Sequence, residues 1–159
     1  WDWRLVASQI YQESKFDPRV SSWAKASGLM QLMPETAIEL GVTNRADPDQ
    51  SIKGGTKYLK QLWKSFEHIT DSIQRTKFTL ASYNCGLYHV KDAQNLAEKR
   101  GLNANVWDDN VEVIILDLSL PKNYNDPVVK YGYVRGIEPY NYVLQIFERY
   151  QHYIQFIES

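Results

Sequence analysis

Along almost the whole chain apolar residues recur at spacings of three and four, and most glycines and prolines fall between those runs instead of inside them. Strand-like alternation is nearly absent, so the chain is expected to be all-α. The periodic segments predict helices at 2–14, 34–40, 48–66, 71–84, 86–99, 105–118 and 138–157. Local signals agree with these limits. Asp47-Pro48 reads as a cap followed by a first-turn proline, and Asp71 as an N-cap, while Gly41, Gly86 and Gly101 stand where helices should stop.

A chain of 159 residues that is 43% hydrophobic can bury about two-thirds of its unfolded surface, and a single domain over 1–159 is expected. The net charge of -1 leaves no electrostatic footprint for a polyanion, which argues against nucleic acid as a main partner. No run is long and apolar enough for a transmembrane span. The aromatic share, 13%, suits either a groove that stacks on sugar rings or bases, or an aromatic-rich core. Cys85 is the single cysteine and excludes an intrachain disulfide. His68, His89 and His152 are scattered, without metal-ligand spacing, and no metal or cofactor is expected. The stripe Val143, Phe147, Tyr150, Ile154 and Ile157 in the last helix reads as core packing. Residues 119–136 form the one long irregular stretch, the kind of loop that is often functional. The chain opens on Trp1 with no basic segment and apolar leader, so it is expected to have been excised from a longer protein.

Three short segments carry chemical interest. In "IYQESKFDP" (10–18), Val6 and Ile10 lie seven and three residues before Glu13, which turns the carboxylate toward the core. Desolvation penalises the charged form, so a partly dry Glu13 would stay protonated near neutral pH, as a general acid must. An ion-paired or solvated glutamate at a helix end is the plainer alternative. In "ASGLMQLMPETA" (26–37), Gly28 would let the backbone approach a ligand closely; Gln31 offers a donor and an acceptor, and Met33 a flexible apolar wall. A structural turn with a core Leu-Met pair would look much the same. In "LASYNCG" (80–86), Tyr83 and Asn84 stand at a helix end, where a hydroxyl can be displayed and where asparagine is also a common stop.

In order and spacing, Glu13-Ser14, "SGLMQLMP" (27–34) and "ASYNCG" (81–86) resemble the three motifs of the family 1 lytic transglycosylases, soluble-lytic-transglycosylase-like murein enzymes related to goose-type lysozyme. The run "YGYVRGIEPYNYV" (131–143), with Trp107 in "NVWDD", is most similar to a membrane-bound branch of that family. The resemblance implies an all-α, lysozyme-like domain with a substrate cleft. It implies that Glu13 is the sole catalytic acid/base, followed in its motif by Ser14, and that Ser22 lines the site. Gln31 and Met33 match substrate-contacting positions, as do Tyr83 and Asn84. Tyr142, preceded by Glu138, matches a tyrosine that hydrogen-bonds the catalytic carboxyl. The chain departs from the pattern at Cys85, where alanine is usual, and at Asp17, where asparagine is frequent. A buried, inert thiol is expected at Cys85.

Glycoside cleavage usually takes two carboxyl groups, and the second candidate here is Asp17. The following Pro18 marks the helix as ending, which makes Asp17 a turn residue. With one carboxylate, the resemblance implies that the substrate supplies the second group and that the β-1,4 bond between N-acetylmuramic acid and N-acetylglucosamine is cleaved without water, leaving 1,6-anhydromuramic acid. The alternatives are a goose-type muramidase using water, or a murein-binding module that has lost catalysis. The implied partner is the peptidoglycan glycan strand and the implied state a monomer. The implied location is the bacterial periplasm, with outer-membrane association only through segments outside this chain.

Overall fold

The computed structural model describes residues 1–157, and its regular elements are helices: α1 Trp3–Ser14, α2 Pro34–Leu40, α3 Pro48–Lys64, α4 Ser72–Cys85, α5 Leu87–Lys99, α6 Glu112–Asp117, α7 Pro121–Tyr124 and α8 Ile137–Phe156. Among the described residues extended pairing is limited to two isolated antiparallel bridges, Ser21 with Ser27 and Ser27 with Leu32. The chain divides into two compact units, Trp1–Lys60 together with the chain from Gln145 on, and Gln61–Leu144. Helices α3 and α8 therefore contribute to both.

The caps lie where the residue types put them. Asp71 accepts from the backbone N–H groups of Ile73 (2.8 Å) and Gln74 (3.1 Å), satisfying two donors that have no partner inside α4. Asp47 does the same for Gln50 at 2.8 Å, ahead of Pro48. At the end of α2, Gly41 takes φ 77°, and Val42 N–H returns to the Ala37 carbonyl at 2.8 Å.

In the first unit, α1 starts on Asp2, whose carboxylate caps Arg4 N–H at 2.9 Å and also receives the Arg4 guanidinium (2.9 Å) and the Tyr150 hydroxyl (3.0 Å). The side-chain hydrogen bond from Arg4 is the main reason the Asp2 carboxyl is lowered to about 2. Arg149 lies 4.2 Å over the Tyr11 ring and donates to the Ser8 carbonyl, which fixes α8 against α1. The core of this unit collects Leu5, Ile10, Leu29, Met30, Leu32, Leu40, Leu59 and Ile146. Helix α3 carries Gly54 and Gly55 in its interior, a costly choice for a helix. Packing explains it: a Cβ at Gly55 would stand 2.3 Å from Met30 Sδ, and one at Gly54 2.5 Å from Val42 Cγ2.

In the second unit α4 packs on α5 and α5 on α6. Phe78 sits in its centre, tilted against Phe66 at 5.4 Å and edge-on to Trp107 at 5.6 Å. Trp107 is thus a core residue. The helix expected over 105–118 is broken at Asp108 and Asp109, the latter at φ 57°. Lys77 and Gln74 both hold the Asp108 side chain, so tertiary contacts displace helical geometry there. The stretch expected to be irregular contains the short α7, opened by Pro121.

The stripe read in α8 is buried only in part. Val143 is in the core and Phe147 and Tyr150 are half-buried, but Ile154 and Ile157 are 40% and 38% exposed, and Ile146 and Tyr142, outside the stripe, join Val143 in the core. No helix among the described residues is long and apolar enough to cross a membrane.

Candidate active site

Glu13, the carboxylate singled out in the sequence, is half-buried in the last turn of α1. The helix stops one residue later because Lys15 (φ 51°) and then Phe16 (φ 64°) take left-handed backbone, with Lys15 N–H returning to the Tyr11 carbonyl. Two successive non-glycine residues in that region cost about 1 kcal/mol or more each, so the turn after Glu13 is strained and held by its surroundings. One holder is Ser14. Only 5% exposed, its hydroxyl lies 2.9 Å from the Leu29 carbonyl and 3.1 Å from that of Ile10. The helix end that carries Glu13 is thereby tied to the second motif.

Asp17 is a turn residue, as its sequence context suggests. Its carboxylate accepts from Arg19 N–H at 3.0 Å and from the Arg19 guanidinium at 3.1 Å, closing a turn. The Arg19 side chain beside it holds the carboxyl below the usual aspartate range. An acid so disposed is ionised and has no proton to give.

The second motif is a scaffolded loop. Gln31 (φ 47°) sends its amide nitrogen to the carbonyls of Val20 and Gly28, both at 2.9 Å, so its donor end serves the loop itself. Ser22 accepts Ala26 N–H at 3.0 Å and closes the turn at the loop tip. Met33, 40% exposed, precedes α2 as its cap residue. Gly28 does provide a close backbone approach, but to the chain's own Arg45 carbonyl, 1.9 Å from where a Cβ would stand, and its φ of 88° also demands glycine.

Three residues that sequence reasoning missed complete this scaffold. Ser51 Oγ accepts Met30 N–H at 3.1 Å, and Arg45 bridges the carbonyls of Lys25 (2.6 Å) and Leu32 (2.9 Å). Gly55 makes room for Met30, which is 0% exposed. A glycine pair inside an amphipathic helix was a readable signal; Ser51 and Arg45 carried none.

In the second unit, Tyr83 is half-buried and Asn84 exposed in the last turn of α4, and the helix ends at Gly86 with φ 97°. Cys85 is half-buried by exposure, short of the full burial expected, yet desolvation of its thiol pushes it up to about 12, so it is a neutral thiol at physiological pH. Tyr142 lies in α8 at 5% exposure, and Glu138, one turn before it, pairs with Arg135 at 3.0 Å on the surface. His68 and His152 are exposed and His89 half-buried. The first unit thus carries Glu13, Ser14, Ser22, Gln31 and Met33, and the second carries Tyr83, Asn84 and Tyr142.

The family model described as Transglycosylase SLT domain matches residues 1–106. Proteins named membrane-bound lytic murein transglycosylase F are similar over nearly the whole chain. The one from Maricaulis maris is 44% identical, covering 93% of this chain and 32% of its own length. That from Shewanella pealeana is 45% identical over 99% of this chain and 32% of its own, and that from Pseudomonas putida 46% over 91% and 29%. The chain spans about a third of the length of these relatives. The crystal structure of the 70 kDa soluble lytic transglycosylase from Escherichia coli superposes with a TM-score of 0.63 at 22% identity, over 100% of this chain and 22% of that one. That likeness carries the fold, an all-α lysozyme-like arrangement.

Proposed function

The chain belongs to the transglycosylase SLT domain family, and on that footing we propose that it is the catalytic domain of a longer peptidoglycan lytic transglycosylase, with Glu13 as its single acid/base. The observation that carries this reading is the contrast between two neighbouring carboxylates. Glu13 is half-buried on a strained helix end tied down by Ser14, whereas Asp17 is committed to Arg19. Asp17 is thereby withdrawn from chemistry that commonly uses two carboxyl groups.

The substrate then supplies the missing nucleophile. Protonated Glu13 gives its proton to the glycosidic oxygen between N-acetylmuramic acid and N-acetylglucosamine. The bond from that oxygen to the muramoyl C1 breaks, and the acetamide oxygen of the same sugar bonds to C1, an intramolecular step of high effective molarity. Glu13, now a carboxylate, takes the proton of the C6 hydroxyl as O6 bonds to C1 and the acetamide oxygen leaves. The carboxyl group ends as it began, and the products are a free 4-hydroxyl and a 1,6-anhydromuramoyl end. No water is consumed.

Ser14 positions the helix end, and Gln31, Ser22 and Met33 belong to the loop fixed against it. Tyr83, Asn84 and Tyr142 take the roles that their motif matches assign, contact with the acetamide for the first two and orientation of the acid for the third. The substrate sets the place of action in the bacterial envelope. We read the domain as periplasmic and monomeric, with any outer-membrane attachment made by segments outside this chain.

Digestion of purified sacculi, followed by mass spectrometry of the muropeptides, tests the reaction. Anhydro ends, one water lighter than hydrolysed ends, are expected; hydrolysed ends alone would overturn the transglycosylase step. Glu13→Gln should lower the rate by about 10²–10⁴-fold. A variant that keeps most of its activity would remove Glu13 from the mechanism.

A further inference from the structure

The loop that leads into α8 is bolted down with unusual thoroughness. Asp126 pairs with Lys99 at 2.7 Å and caps Val128 N–H at 3.0 Å. The carboxylate of Asp92, only 2% exposed, accepts two consecutive backbone N–H groups, Lys130 at 3.0 Å and Tyr131 at 2.6 Å. Val134 N–H reaches the Leu118 carbonyl at 3.2 Å, and Gly136 is pressed so closely on Ile115 that a Cβ there would stand 1.9 Å from its carbonyl oxygen. A buried carboxylate devoted to holding a loop is an expensive device, since an aspartate is rarely enclosed unless its acceptors are satisfied.

What this rigid backbone presents to solvent is aromatic. Tyr131 stacks on Tyr88 with ring centroids 4.7 Å apart and planes 13° from parallel, yet the two residues stay 53% and 58% exposed. Tyr133, 56% exposed, stands edge-on to Tyr124 at 5.8 Å. Core packing does not account for the outward Tyr131 and Tyr133 on one anchored segment, nor for Tyr88 of α5 facing Tyr131. Tyrosine contributes large apolar area at small entropic cost and keeps a hydroxyl for hydrogen bonding, which matches the alternating C–H faces and hydroxyl rims of a pyranose. Tyr88 lies in the first turn of α5, just past Gly86 and the third motif with its Tyr83 and Asn84.

Resting on the proposed function, we infer that Tyr88 and Tyr131 form a prearranged stacking shelf for a further N-acetylated sugar of the glycan strand, extending the substrate contacts begun at the third motif. The shelf adds affinity for longer strands and takes no part in proton transfer.

The probe is a series of N-acetylglucosamine oligomers, tetramer and hexamer, titrated into the Glu13→Gln chain. Binding of the hexamer should shift the ring proton signals of Tyr88 and Tyr131, a measurement that needs no change to the shelf. Tyr131→Ala should weaken hexamer binding about tenfold while Tyr131→Phe stays near the parent. On murein, Tyr131→Ala in the otherwise unaltered chain should raise KM and leave kcat alone. Undisturbed ring signals, or equal hexamer affinity in the parent, Tyr88→Ala and Tyr131→Ala proteins, would overturn the inference. Tyrosine-dependent binding to phosphatidylglycerol vesicles without any oligomer effect would do so too. Failure of the unaltered chain to release anhydro ends counts instead against the proposed function, so the two outcomes are separable.

Discussion

Replacing Gly55 by alanine should destabilise the protein, although intrinsic helix preference predicts the reverse. Alanine inside a helix is favoured over glycine by about 0.8–1 kcal/mol. Against this, the new Cβ would stand 2.3 Å from Met30 Sδ and 2.8 Å from both its Cε and its Cβ. The sulfur and the terminal methyl belong to a flexible side chain, but Met30 is 0% exposed and its Cβ moves only with the backbone. That backbone is held by Ser51 at 3.1 Å. Overpacking of this kind costs about 1–3 kcal/mol, and with a backbone-linked atom involved the upper half of that range applies. The net loss is about 1–2 kcal/mol, equivalent to a fall of about 5 °C in Tm. Urea unfolding followed by tryptophan fluorescence measures it. Because the displaced loop carries the second motif, murein cleavage should fall as well. Repeating the substitution in a Met30→Ala background isolates the cause: there Sδ and Cε are gone while the 2.8 Å contact with Cβ stays, so the loss should shrink without vanishing, giving a coupling of about 1 kcal/mol or more. A Gly55→Ala protein as stable as its parent, or the same effect in both backgrounds, would refute the packing argument.

Three further outcomes are expected. Cys85 should resist thiol reagents at pH 8 in the folded protein, because its pKa is pushed up to about 12; between the ordinary cysteine value and 12 the unfolded chain holds fewer protons, so stability should fall as pH rises, and Cys85→Ala should remove that slope in alkaline unfolding titrations. Asp2, lowered to about 2 chiefly by its hydrogen bond from Arg4, stabilises the fold above the unfolded aspartate value and loses that contribution as pH falls toward 2; the share, after solvent screening, is about 1 kcal/mol, and Asp2→Asn should flatten the acid side of the stability curve. Lys15→Gly should raise Tm slightly, by relieving about 0.5–1 kcal/mol of left-handed strain at φ 51°, and an unchanged or lower Tm would show that this turn is not strained.

Much of this protein was determined locally. The caps at Asp47 and Asp71, the stop at Gly41 and the end of α1 ahead of Asp17 follow from side chains that satisfy or break backbone hydrogen bonds within a few residues, and a linear reading captures such effects. Glu13 and the three motifs were legible for the same reason, since each is a short pattern of residue types. The break at Asp108 and Asp109 was not, because the contacts responsible come from Gln74 and Lys77 on another helix. Gly28 suggests by its residue type a place for a ligand to approach, yet only the folded chain reveals that the Arg45 carbonyl occupies that place.

The tertiary structure alone also decided which aromatics are core and which are display. Trp107 and Tyr131 look alike in a composition count, but one is locked against Phe78 and the other is held outward by a buried aspartate remote in sequence. Helix periods and caps are set by interactions that span one or two turns. Seats such as that of Met30 against Gly55 depend on which distant segments share a volume, and that is fixed only when the whole chain packs.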